Sequence, residues 1–130
     1  MLRKFFDRLS AVDARNNFQP AWYAILFKPQ YITRRSVFKS IKNFSSEIHQ
    51  KRILDVGCGE APYRNLFPDC EYIGIDTTDA GHADALKRVD MYFDGVHIPF
   101  QDGSFDLVLF TGVLEHTEYP EQLVSEINRV

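Results

Sequence analysis

The chain has 130 residues, 15 Lys and Arg against 18 Asp and Glu, and a net charge of −3. That length holds one domain with a real core, and an apolar share of 45% is ordinary for a globular protein. Its two cysteines, Cys58 and Cys70, make no disulfide framework and fit a reduced, cytoplasmic setting.

The modest net charge hides an asymmetry. Met1–Arg52 carries 11 Lys and Arg against 3 Asp and Glu, a charge of +8, and Ile53–Val130 carries 4 against 15, a charge of −11. A basic half can face nucleic acid or anionic lipid. Here the basic residues are spread at helical intervals with no dense cluster. A solvated face, or one lying against the acidic half, accounts for them. Nucleic acid is therefore not an expected partner, while peripheral membrane contact through basic N-terminal helices stays open. The start, MLRKFFDRLSAVDARNN, lacks the apolar region and cleavage site of a signal peptide, and Asp7 and Asp13 argue against a transit peptide.

In chain order, Phe5, Phe6, Leu9 and Val12 predict a helix over Leu2–Val12. Ala21–Phe27 reads as a short helix or apolar lid, far too short to span a bilayer. Trp22, Tyr23, Phe27 and Tyr31 are either core packing or a lid over an acceptor. A further helix is expected from a Thr33 cap to about Gln50, with Val37, Phe38, Ile41, Phe44 and Ile48 on one face. Arg52–Val56 (RILDV) predicts a buried strand, and Gly57 and Gly59 follow it as a tight turn. Pro62–Phe67 is a short helical piece, Glu71–Asp76 (EYIGID) a second strand, and Thr77–Ala85 a loop. Arg88–Asp94 is a weaker third strand, Phe105–Phe110 the fourth and most apolar. Tyr119–Val130 is a helix with Pro120 at its first position. Strands alternating with helical segments imply an α/β fold with a parallel sheet. Two segments are expected: an N-terminal helical extension over residues 1–51 and a ligand-binding part over 52–130.

Open parallel sheets bind ligands beyond the carboxyl ends of their strands. Asp55, Asp76, Asp94 and the Gly57–Gly59 turn all lie near such ends. Asp76, about twenty residues past the turn, is placed to accept two ribose hydroxyls. A dinucleotide fingerprint would want a third glycine where Pro62 stands, and a carboxylate at Asp55 repels a pyrophosphate. A ligand with a cationic head reverses that sign, because Asp55 then holds an ammonium directly or through water. No His or Cys grouping has metal-site spacing, so no metal is expected. Cys58, between the two glycines, reads as a small residue that fits a tight loop.

The ordered motifs ILDVGCGEA, YIGID, FDGVHIPFQDGSFDLVLFTGVLEH and the terminal EINRV resemble the class I S-adenosylmethionine-dependent methyltransferases. The similarity is nearest the type 11 group that includes quinone-biosynthesis C-methyltransferases, and it covers Ile53–Val130. The resemblance implies a Rossmann-like sheet with S-adenosylmethionine as cofactor and a small-molecule or lipid-like methyl acceptor. Carried over by position, Asp55, Gly57, Cys58 and Gly59 would line the methionine end. Asp76, with Thr77, would take the ribose, and Asp94, with Gly95, would lie near the adenine. Thr111 and Gly112 would face the transfer site. Glu115 and His116 fall on the family's E-H pair, and His116 is the candidate general base if a proton must be removed, or else a structural partner of its loop. The chain departs from the family at Ala61, where a third glycine is usual, and a shifted loop is expected there. The family's sheet has seven strands and four can be counted here, so the chain is expected to be truncated or the N-terminal part of a longer protein. The fourth strand would then form an exposed edge. A non-catalytic binding module and an NAD-type enzyme are the alternatives.

Overall fold

In the computed structural model, residues 31–78 and 88–130 are described. The expected helix at Leu2–Val12, the segment Ala21–Phe27 and most of the loop after Thr78 lie outside them. The chain divides into two compact units, Met1–Ser45 and Ser46–Val130.

In the first unit, helix α1 spans Tyr31–Ser45. Ile41 is buried, Val37 and Phe38 are half-buried, and Phe44 is exposed. Two details differ from expectation. Thr33 lies inside the helix, where it caps nothing, and the helix ends at Ser45, well before Gln50. Ser45 Oγ donates back to the Lys42 carbonyl at 2.9 Å, a local bond that competes with helical pairing. Gln50 has φ +52°, outside helical space.

The second unit is a four-stranded, wholly parallel sheet. Its strands are β1 (Arg52–Val56), β2 (Glu71–Asp76), β3 (Met91–Tyr92) and β4 (Leu107–Phe110), in spatial order β3-β2-β1-β4. Pro62–Phe67 holds one 3₁₀ turn at Arg64–Leu66. Helix α2 spans Pro120–Arg129, with Pro at its start as the sequence predicts. β3 is far shorter than expected. The Asp90 N–H goes to the Gly74 carbonyl, and its carboxylate takes the Gly74 N–H at 2.7 Å and pairs with Arg64. Its side chain therefore replaces ladder bonds that a longer strand would need. β4 starts two residues late, because Phe105 N–H is taken by the Val130 carbonyl at 2.9 Å.

The register puts Leu54, Val56, Ile73, Ile75, Val108 and Phe110 on one sheet face. That face packs on Leu123, Ile127 and Val130 of the α2 segment and on Ile98, Phe100 and Phe105 of the preceding loop. Arg129 stitches this loop to α2. Its guanidinium donates to the Phe100 and Ile98 carbonyls at 2.8 and 2.9 Å, to Asp102 at 2.8 Å and to Glu126 at 2.8 Å. Glu126 in turn accepts the Ile98 N–H at 2.9 Å. The opposite face carries Ile53, Asp55, Tyr72, Gly74 and Asp76. Gly74 matters by its missing side chain: a β-carbon there would lie 2.8 Å from Cys58 Sγ.

Candidate functional site

The site lies at the carboxyl ends of β1, β2 and β4, as the position of the glycine turn predicts. The turn is anchored to the neighbouring strand. Gly57 and Cys58 N–H both donate to the Ile75 carbonyl, at 2.8 and 3.1 Å. Gly59 N–H donates to Asp76 Oδ2 at 2.9 Å, and Thr77 N–H to Asp76 Oδ1 at 2.8 Å. Ala61 takes φ +48°. The left-handed backbone that glycine adopts freely is thus present at the alanine, at a strain of roughly 1–2 kcal/mol.

Beyond this turn opens a cleft of about 640 Å³, within the range of small-molecule and cofactor pockets. Gly57, Asp76, Thr77, Asp94, Gly95, Gly112 and His116 line it together. These are expected residues drawn from four separate stretches of sequence. Phe93, Val96, Val113, Thr117, Glu118, Tyr119 and Leu123 complete the wall. Asp55, Cys58, Gly59 and Thr111 are not among the lining residues.

Each carboxylate has a distinct setting. Asp76 is 5% exposed, yet it reaches the cleft wall. Among the described residues, two of its roughly four lone-pair positions are used, both by backbone N–H groups, and a carboxylate can accept ligand hydroxyls at the others. Asp94 fixes the loop after β3. Its Oδ1 accepts the Val96 and His97 N–H groups at 2.8 and 2.7 Å, and its Oδ2 meets His97 Nδ1 at 2.8 Å. The His97 bond first, then the two backbone bonds, hold Asp94 down to about 2 and raise the His97 imidazole. Asp55 is 2% exposed, and its Oδ2 accepts the Tyr72 hydroxyl. Burial pushes it up to about 6, against the lowering effect of the Tyr72 bond. Cys58 is buried, and burial first, then Asp55, Asp76 and Asp90, push its thiol up to about 12. Such a thiol is protonated and unreactive.

His116 closes the short 3₁₀ turn Leu114–His116 and is exposed at the cleft, its N–H donating to the Val113 carbonyl at 2.9 Å. Among the described lining residues, Asp76, Asp94 and Glu118 are acidic and none is Lys or Arg. These acceptors suit a ligand with a cationic group and hydroxyls, and repel a pyrophosphate. Among the described residues, no group of His, Cys, Asp or Glu is arranged to hold a metal ion. Sequence reasoning missed the Tyr72 partner of Asp55, His97 on Asp94, and the Phe93 and Tyr119 walls. The alternation Tyr72, Gly74, Asp76 puts Tyr72 on the face of Asp76, but its pairing with Asp55 needs the register between strands.

The comparisons with known proteins agree with this geometry. The methyltransferase-domain family matches residues 54–130. An uncharacterized protein of Methanocaldococcus jannaschii is 34% identical over 98 residues, covering 72% of this chain and 43% of its own length. The ubiquinone biosynthesis O-methyltransferase of Nitrosococcus oceani is 31% identical over 113 residues, covering 76% of this chain and 46% of that protein. The chain thus spans less than half the length of these relatives. A crystal structure of a SAM-dependent methyltransferase from Aquifex aeolicus superposes with a TM-score of 0.57 at 17% identity, over 95% of this chain and 65% of that one, and shows the same Rossmann-like fold. With the sheet order, the cleft beyond the glycine turn and a family match over residues 54–130 in agreement, the chain belongs to the methyltransferase-domain family, whose cofactor is S-adenosylmethionine.

Proposed function

We propose that this chain is the cofactor-binding part of an S-adenosylmethionine-dependent methyltransferase acting on a small-molecule or lipid-like acceptor. The observation that carries the reading is Asp76, a buried carboxylate that reaches the wall of an acidic cleft at the strand ends. In this reading Asp76, with Thr77, takes the ribose hydroxyls. Gly57, Cys58 and Gly59 form the turn at the methionine end, with Asp55 behind it. Asp94 and Gly95 shape the adenine side, and Thr111 and Gly112 flank the transfer site. The cofactor supplies an activated methyl group on a sulfonium, so the protein's share is binding and alignment, worth roughly 7–11 kcal/mol of barrier. His116, exposed at the cleft, is the proposed base where the acceptor must lose a proton.

The domain reading is an N-terminal helical extension over residues 1–51 before this part. The name of the Nitrosococcus oceani relative, ubiquinone biosynthesis, supports a small-molecule acceptor. Among the described residues no helix is long and apolar enough to cross a membrane. A cytoplasmic setting, with peripheral membrane contact through the basic N-terminal segment, belongs to the same proposal.

Calorimetric titration with S-adenosylmethionine and S-adenosylhomocysteine tests it. Saturable binding is expected, weakened about tenfold or more by Asp76→Ala as two ligand hydrogen bonds are lost. No binding, or equal affinity in the variant, overturns the proposal.

A further inference from the structure

Of the two buried carboxylates among the described residues, Asp76 reaches the cleft and Asp55 does not. A buried carboxylate away from any direct ion pair is costly unless hydrogen bonds hold its charge. Among the described residues, Asp55 accepts one such side-chain bond, from the Tyr72 hydroxyl. Tyr72 is itself only 8% exposed. Its ring lies 6.1 Å from that of Phe67, and the Arg64 guanidinium stands 5.0 Å from its centroid. Packing on both partners gives the hydroxyl a fixed direction. Asp55 shares its sheet face with Asp76, which is cleft wall, and it lies within electrostatic reach of Asp76 and of Cys58 in the glycine turn.

We propose that Tyr72 is a positioning residue for the cofactor turn: its hydroxyl orients the ionised Asp55 carboxylate beneath the glycine turn, beside Cys58 and Asp76, so that a negative charge backs the cationic end of the ligand. This rests on the S-adenosylmethionine reading of the cleft. Asp55 is buried and is not among the lining residues, so its charge acts through the turn in a poorly solvated interior, where electrostatic interactions are stronger than in water.

The groups around Asp55 set the direction of the effect. Tyr72 and Asp76 come from β2, Arg64 from the 3₁₀ turn, and Cys58 from the glycine turn, while β4 presents the apolar Leu109 at the paired position. Asp90 pairs with Arg64 and offsets part of its charge. Burial raises Asp55 to about 6, Tyr72 and Arg64 lower it and Asp76 raises it. Ligand cation favours the ionised form, so affinity rises as pH climbs through the Asp55 titration. Removing the Tyr72 hydroxyl removes the leading lowering influence and moves that titration upward.

The test follows the Asp55 side-chain carboxyl by carbon NMR in the ligand-free protein, in wild type and Tyr72→Phe, with S-adenosylmethionine affinity measured by calorimetry from pH 5 to 8. In the variant the Asp55 inflection is expected to move up by about one pH unit. Affinity should fall about 3- to 10-fold near the wild-type inflection and return to within about twofold at pH 8. Asp55→Asn, which keeps the shape, should lose the pH-dependent rise altogether. An unchanged inflection, or a loss of affinity equal at every pH, overturns the Tyr72 role and leaves the cofactor reading standing. A protein that binds no S-adenosylmethionine at any pH overturns both.

Discussion

Gly57 and Val113 meet across the cleft wall so closely that a β-carbon on Gly57 would lie 2.2 Å from Val113 Cγ2. Gly57 also holds φ +74°, where a side chain is strained whatever the space. The glycine therefore does two jobs, turning the chain after β1 and letting the segment after β4 close against it. Gly57→Ala is expected to cost about 2–4 kcal/mol in denaturant unfolding, the sum of overpacking and left-handed strain. In a Val113→Ala background the cost should shrink to the strain alone, about 1–2 kcal/mol. Equal costs in both backgrounds would show that the contact does not matter.

Asp55 also makes a prediction about stability. Its folded pKa, about 6, lies above the ordinary value of 3.8. Between those values the folded state binds more protons than the unfolded state, so Asp55 stabilises the fold at low pH and that contribution is lost as pH rises to about 6. Asparagine carries no such proton. Relative to wild type, Asp55→Asn should gain about 1–3 kcal/mol between pH 3.5 and pH 8 in parallel urea melts. A difference that does not change with pH would mean Asp55 is not buried as a strained carboxylate.

Arg129 predicts a different kind of loss. Its guanidinium satisfies the Ile98 and Phe100 carbonyls and binds Asp102 and Glu126. The loop it holds begins at residues that line the cleft, Asp94 to Val96. Arg129→Met keeps the length of the stem and removes every donor. The melting temperature should fall by roughly 5–10 °C, and hydrogen exchange should quicken first at Ile98 and Gly103, whose N–H groups bond to Glu126 and to the Arg129 carbonyl. Exchange that quickens uniformly over the sheet would count against a local clamp.

Much of the site was legible before folding. Asp76 ends β2 and Thr77 follows it, Gly112 and His116 come after the apolar β4, Asp94 and Gly95 come after the weaker third strand, and all six line the cleft with Gly57. Strand lengths were less legible. β3 reduces to Met91–Tyr92 because Asp90 uses its side chain on Gly74 and Arg64, and side-chain competition of that sort leaves no trace in hydrophobic periodicity. The end of α1 at Ser45 has the same origin, a hydroxyl turned onto its own helix.

By itself the sequence determined the α/β class, the parallel sheet, the glycine turn and the acids at the strand ends. Those features rest on local periodicity, on glycine's backbone freedom and on chain direction, all of which are written residue by residue. Only the tertiary structure decided where each acid lies. Asp76 reaches the cleft while Asp55 turns to Tyr72, because the register of β1 against β2 sets Asp55 beside Gly74, and the space left by a missing side chain is filled by Cys58. Register is a property of two strands together, and burial depends on what packs above them. Neither can be read from one strand alone.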